Sequence, residues 1–177
     1  MATIKISAGS RLPAISLPLV GGGQVTMGQS KKKGNWQLVF VYRGRHCPIC
    51  KQYLMKLETL KDKSLNTEAE IVALAGDPEA KAVAMVEAGV LTVPVAYELS
   101  TKPMKDLGLY ISHPRSPEET DKPFPEHGMF AVNADGHVKL IAISNMPFNR
   151  SDLEELLETV EWIQKNDYPN QRNVCSV

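Results

Sequence analysis

The sequence predicts an α/β fold, a three-layer α/β/α sandwich with a mixed central sheet. Three observations carry the prediction. Apolar runs of strand length, Leu38–Tyr42 and Ile71–Ala75, alternate with segments of helical periodicity, the pattern of parallel strands joined by right-handed crossovers. Two later apolar runs flank Asn133-Ala134-Asp135-Gly136, a hairpin signal that adds antiparallel strands to the sheet. The chain then closes on a strongly marked amphipathic helix.

Each element has its own signature. Between Ile4 and Met27, short apolar pieces (Ile15-Ser16-Leu17, then Val25-Thr26) surround Gly21-Gly22-Gly23 and read as a small hairpin or extended segment. Leu38–Tyr42 is almost continuously apolar, as a central strand covered on both faces requires. A helix with Leu54, Leu57 and Leu60 on one face follows and fades near Lys63. After Ile71–Ala75, Gly76-Asp77-Pro78-Glu79 enters a second helix; Asp77 is placed to cap it, Pro78 suits its first position and Glu79 its positive end. That helix carries Ala82, Val83 and Val86 and stops at Gly89.

Val93–Tyr97 is a short strand that Pro94 assigns to an edge or a strand start, and residues 101–109 form another short helix. Residues 113–125 contain four prolines and make the longest loop, either a binding element or a plain surface insertion. Pro94 and Pro125 are the candidates for a cis bond, although trans is the default. Met129–Val132 and Val138–Ile143 are the hairpin strands. Ser151-Asp152-Leu153-Glu154 matches a capping box ahead of the stripe Leu153, Leu156, Leu157, Val160 and Ile163. Residues 1–165 read as one domain and 166–177 as a loose polar tail.

Composition narrows the function. The 177 residues are 43% hydrophobic and 23% charged, enough for a real core. Lys+Arg and Asp+Glu each number 20, so no general electrostatic attraction to nucleic acid or an anionic membrane is expected. Lys31-Lys32-Lys33-Gly34 reads as a solvated turn. No apolar run has the length of a membrane span and the N-terminus lacks a signal-peptide centre. The expected compartment is cytoplasmic, where thiols are kept reduced. No organic cofactor is expected, since the chain has no glycine-rich nucleotide loop.

The chemistry is carried by Cys47-Pro48-Ile49-Cys50, placed where the Leu38–Tyr42 strand runs out into the next helix. A sulfur at a helix N-terminus faces exposed backbone N–H groups that favour the thiolate, which is the nucleophile. Residues at i and i+3 of a helix have Cβ atoms roughly 5–6 Å apart, within disulfide reach. Arg43, Arg45 and a protonated His46 would all favour ionisation of Cys47. Of the two arginines, Arg43 is the favoured one; His46 either tunes the thiol or simply packs. His127, just before the late hairpin, is a candidate contact of the site. A structural zinc site needs about four ligands; with one Cys pair and no ligand-spaced histidines, none is expected. Cys175 reads as a free tail thiol, and His113 and His137 as loop and turn residues.

Taken together, Gly9-Ser10-Arg11-Leu12-Pro13, Val39-Phe40-Val41-Tyr42-Arg43-Gly44 with His46-Cys47-Pro48-Ile49-Cys50, Val95–Ser100 and Phe130–Gly136 resemble the alkyl hydroperoxide reductase/thiol-specific antioxidant superfamily, peroxiredoxin-like proteins of the thioredoxin fold, in a subgroup bearing CPxC. The resemblance spans about Ile6 to Ile163. It implies attack of a cysteine thiolate on a peroxide or a disulfide, with Cys47 as nucleophile and Cys50 as resolving thiol. It also implies an external thiol reductant, thioredoxin- or glutathione-like, and a homodimer by analogy. Gly44 and Phe40 stand where typical peroxiredoxins carry threonine or serine and proline, and His127 falls near a typical arginine. The alternative is a thioredoxin-like binding or redox-sensing module with little turnover.

Overall fold

The computed structural model describes residues 6–64 and 67–169. An antiparallel hairpin, β1 (Ser16–Pro18) and β2 (Gln24–Thr26), precedes the central sheet. The sheet contains β3 (Trp36–Val41), β4 (Ala69–Leu74), β5 (Val95–Ala96), β8 (Gly128–Val132) and β9 (Val138–Ile143), in the order β5-β4-β3-β8-β9. β3, β4 and β5 run parallel and β8 and β9 run antiparallel. This is the mixed sheet the sequence predicts. β5 is an edge strand, so Pro94 at its start leaves no central ladder bond unmade.

The helices are α1 (Pro48–Ser64), α2 (Glu79–Gly89), α3 (Thr101–Asp106) and α4 (Leu153–Asn166). Side chains alternate across a strand, and β3 feeds two cores in turn. Leu38 and Phe40 face a layer containing Leu54 and Leu57 of α1, Met85 of α2 and Leu157 of α4. Val39 and Val41 face the other layer, with Met104 of α3 and Leu17 and Val25 of the hairpin. Because β3 is buried on both faces, its C-terminal end has only one direction in which to deliver the Cys47 turn.

Two helix starts differ from the sequence reading. Asp152, not Ser151, caps α4, accepting from the N–H groups of Glu154 (2.9 Å) and Glu155 (3.1 Å); the Ser151 carbonyl instead accepts the Tyr53 hydroxyl at 2.9 Å. Asp77 does not cap α2. Pro78 takes the cap position with no side-chain bond, and the Asp77 carboxylate turns toward the Cys47 turn. α2 stops at Gly89 as expected, but the left-handed residue beyond it is Val90 (φ 51°).

The long loop is bracketed by a short antiparallel ladder, β6 (Ile111–Ser112) with β7 (Phe124–Pro125). No peptide bond among the described residues is cis, so Pro94 and Pro125 are trans. Cys175 and the tail from residue 170 lie outside the described residues. Among the described residues, no helix is long and apolar enough to cross a membrane.

Candidate active site

Cys47 immediately precedes α1 and occupies its cap position. Its carbonyl accepts the Lys51 N–H at 3.2 Å, the first helical bond, and its sulfur accepts the Cys50 N–H at 3.3 Å. A cap side chain bonding the third N–H of the helix is the task usually given to Ser, Thr, Asp or Asn. Here sulfur performs it, and Pro48 takes the first helical position, where a missing N–H costs nothing. The spacing C-P-x-C is therefore a helix-start signal as well as a dithiol.

Both sulfurs are covered, with Cys47 1% and Cys50 0% exposed. The pair sits in the core layer between the sheet and α1. Their ionisation is nonetheless driven apart. The Cys50 thiol and the Cys50 N–H both bond the Cys47 sulfur and Arg43 adds its charge, which together outweigh burial and hold Cys47 down to about 6. Burial, then the bond to Cys47, then the charge on Cys47 push Cys50 well up.

Arg43 is brought to the site and Arg45 is not. The Arg43 guanidinium lies 4.7 Å over the Phe124 ring and its Nε pairs with Glu126 at 3.0 Å. That contact is an ion pair whose alignment falls short of a hydrogen bond. Glu126 is buried and also accepts the Ser112 hydroxyl at 2.6 Å. Glu119, gripped by Arg115 at 2.9 Å, lies 3.9 Å from Arg43. The 113–125 loop is thereby tied to the Cys47 turn through Arg43. The Arg45 side chain is exposed; what it contributes is its N–H, donated to Asp77 at 2.6 Å.

Gly44 explains one departure noted in the sequence. Its φ is +139°, and a Cβ there would lie 2.9 and 3.1 Å from the Asp77 carboxylate oxygens. A side chain at this position would have to displace the Asp77 carboxylate and adopt a φ that L residues rarely take. Burial raises the Asp77 carboxyl, partly offset by the Arg45 N–H.

The histidines correct the sequence reading. His46 packs edge-on against Phe124 at 4.6 Å. Burial, then the charge of Arg43, pulls it below its usual value, so a protonated His46 does not serve Cys47. His127 is 1% exposed; burial and then Arg150 hold it down to about 3. It reaches the site indirectly. The Arg150 guanidinium donates to His127 Nδ1 at 3.4 Å and to the Cys50 sulfur at 3.0 Å, which leaves the ring proton on Nε2.

Sequence reasoning missed Arg150. It lies 100 residues beyond Cys50, in the irregular segment between β9 and α4, and no local pattern marks it. It also missed Tyr42, whose buried hydroxyl has no hydrogen-bond partner and is raised by burial, then by the charges of Asp77 and Cys50. Pro48 stays at the head of α1 and is exposed. Beside the turn, Arg45, His46, Lys81, Glu118 and Thr120 line an open cleft of about 450 Å³. Among the described residues no cluster of His, Cys, Asp and Glu could hold a metal ion.

Comparison with known proteins agrees with this architecture. A mutant peroxiredoxin 6 of Arenicola marina has 14% identity and a TM-score of 0.73, over 97% of this chain and 80% of its own. AhpC of Mycobacterium bovis has 15% identity and a TM-score of 0.74, over 96% of this chain and 99% of its own. A peroxiredoxin-like protein from Aquifex aeolicus has 14% identity and a TM-score of 0.74, over 90% and 89%. At such identities the likeness is one of fold. No curated protein sequence matches the chain. The family model of the AhpC/TSA family, however, matches residues 8–141, a span that takes in the Cys47 turn and every strand up to β9. That match covers well over half of the sequence, and the chain belongs to the AhpC/TSA family.

Proposed function

We propose that this protein is a thiol-dependent oxidoreductase that reduces hydroperoxides through Cys47, with Cys50 as the resolving thiol. The observation that carries the reading is the Cys47 sulfur set as the cap of α1, accepting the Cys50 N–H at 3.3 Å. A sulfur so placed is stabilised as the thiolate by the helix end. The thiolate attacks one peroxide oxygen, the O–O bond breaks, and the departing alkoxide takes up a proton to become the alcohol. Cys47 is left as a sulfenic acid. Cys50 then attacks the Cys47 sulfur, hydroxide leaves and is protonated to water, and a disulfide forms. Two external thiols reduce it, the first attacking Cys47 to give a mixed disulfide and the second releasing it. The family's name and the peroxiredoxin names of the fold neighbours favour peroxide over disulfide as oxidant. The reductant proposed is a thioredoxin- or glutathione-like thiol in a reducing compartment, and the assembly a homodimer.

The test is rapid mixing of the reduced protein with hydrogen peroxide. Wild type should form the Cys47–Cys50 disulfide, Cys50→Ser should accumulate sulfenic acid, and Cys47→Ser should do neither. Equal, slow peroxide consumption by wild type and Cys47→Ser would refute the proposal. A second reading, a redox-sensing module with little turnover, draws on the near-complete burial of both sulfurs. It requires the same disulfide to form once and to be reduced too slowly for turnover.

A further inference from the structure

Two guanidiniums serve this dithiol, one for each sulfur. Arg43 adds its charge to Cys47. Arg150 reaches the other sulfur, donating Nη2–H to Cys50 Sγ at 3.0 Å. Its remaining groups are all engaged: Nη1 with His127 Nδ1 at 3.4 Å, Nε with the Pro147 carbonyl at 2.6 Å, and its face over the Tyr53 ring at 5.0 Å. Tyr53 is itself pinned to the same segment through the Ser151 carbonyl. A guanidinium held by three other contacts presents one fixed N–H to the Cys50 sulfur.

We propose that Arg150 is a catalytic residue of the second half of the cycle, stabilising Cys50 as a thiolate when it attacks oxidised Cys47 and again when it leaves the disulfide. The inference rests on the assignment of Cys47 as the first thiol to be oxidised. In resolution, the Cys50 proton is lost, an S–S bond forms to Cys47, and the Cys47 S–O bond breaks to release water. In reduction, an external thiolate attacks Cys47, the S–S bond breaks, and the electron pair departs on Cys50, which then regains a proton. Negative charge on Cys50 is common to both steps, and Arg150 faces it in both.

The arrangement also orders the steps. In the reduced protein Cys50 is kept protonated by burial, by its bond to the Cys47 sulfur and by the Cys47 charge, against the pull of Arg150. Conversion of Cys47 to a neutral sulfenic acid abolishes the last charge and that bond to a thiolate. Arg150 then has only burial to oppose. Cys50 is quiet until its partner has been oxidised. His127 supports this by staying neutral at any pH well above about 3, so it accepts from Arg150 without adding a second cation.

The test compares wild type with Arg150→Met and Arg150→Lys, using hydrogen peroxide as oxidant and trapping sulfenic acid and disulfide separately by mass. In Arg150→Met the ratio of disulfide closure to first oxidation should fall at least tenfold. The pH at which closure accelerates should move upward, because loss of the cation disfavours the Cys50 thiolate. Arg150→Lys should recover much of the ratio. A methionine variant with an unchanged ratio and an unchanged pH profile overturns the proposal. Reduction of the preformed disulfide by dithiothreitol is the independent arm, expected to slow tenfold in Arg150→Met; there an unchanged rate also counts against it. If the wild-type dithiol ignores peroxide, the peroxidase reading fails, and the dithiothreitol arm still decides the role of Arg150.

Discussion

Arg43→Met tests how firmly the Cys47 turn is bolted to the long loop. The substitution keeps an unbranched apolar stem but removes the cation facing Glu126, which is 3% exposed. Removing one partner of a buried ion pair leaves the other charge uncompensated and costs about 3–5 kcal/mol. Loss of the cation over the Phe124 ring, 4.7 Å away, adds about 0.5–2 kcal/mol. The Ser112 hydroxyl still bonds Glu126, so the low end of the sum is the better target, about 3.5 kcal/mol. For a chain of this size that lowers Tm by roughly 7–14 °C. Urea denaturation of the reduced protein measures it, and a double-variant cycle isolates the pair. Glu126→Gln in the Arg43→Met background should restore at least half of the loss, because a neutral amide needs no cation. A loss below about 1 kcal/mol, or no recovery from Glu126→Gln, would refute the reasoning, since the pair would then be worth no more than an exposed one.

Four further outcomes follow from named contacts. Gly44→Ala forces a Cβ to 2.9 Å from Asp77 Oδ1 at φ +139° and should cost about 1–3 kcal/mol by urea denaturation; a neutral effect would mean Asp77 can move aside freely. Val90→Gly relieves a β-branched residue at φ 51° that is 80% exposed, for a net gain of about 0.5–1 kcal/mol after the greater unfolded freedom of glycine; destabilisation in thermal melts would contradict this. His127 is depressed from 6.5 to about 3, so below pH 6.5 the unfolded chain takes up a proton that the native protein refuses, and stability present above 6.5 is lost toward pH 3. His127→Gln should flatten that acid limb of a stability–pH curve, whose slope is at most about 1.4 kcal/mol per pH unit for one proton. The dithiol acts at the other end. Cys47 is lowered from 9.0 to about 6, so its contribution grows as pH rises from 6 to 9.0; Cys50 is raised, so above 9.0 the unfolded chain alone ionises there and stability falls. A Cys47→Ser/Cys50→Ser variant that keeps the same curve would rule this out.

The periodic parts of the fold were legible because burial follows chain period. The α4 stripe from Leu153 to Ile163 is buried at all five positions, and the doubly covered β3 reads directly as an unbroken apolar run. Helix starts were less legible. Asp77 and Ser151 both have capping chemistry, yet the Arg45 N–H engages the Asp77 carboxylate and the adjacent Asp152 takes the α4 cap. Local propensity cannot foresee a competing partner 32 residues away, nor choose between two adjacent residues that both favour the cap. The site divides in the same way. Cys47, Cys50 and Arg43 share one turn, so adjacency reveals them. Arg150 and Glu126 are joined to that turn only by the folding of β8, β9 and the loop. His46 misled for a different reason: its charge depends on burial beneath Phe124 and on Arg43, which the residue type does not disclose.

A helix whose end-stop is a sulfur cannot hide the oxidation state of that sulfur. When Cys47 gives up its negative charge, the Cys50 amide loses the best acceptor within its reach, and the opening turn of α1 must find another anchor or fray. Redox state is thereby written into the mechanics of a 17-residue rod that packs along α4. Amide exchange at Cys50 and Lys51 should quicken on oxidation to the sulfenic acid while the middle of the rod stays protected, a signal readable without following any substrate.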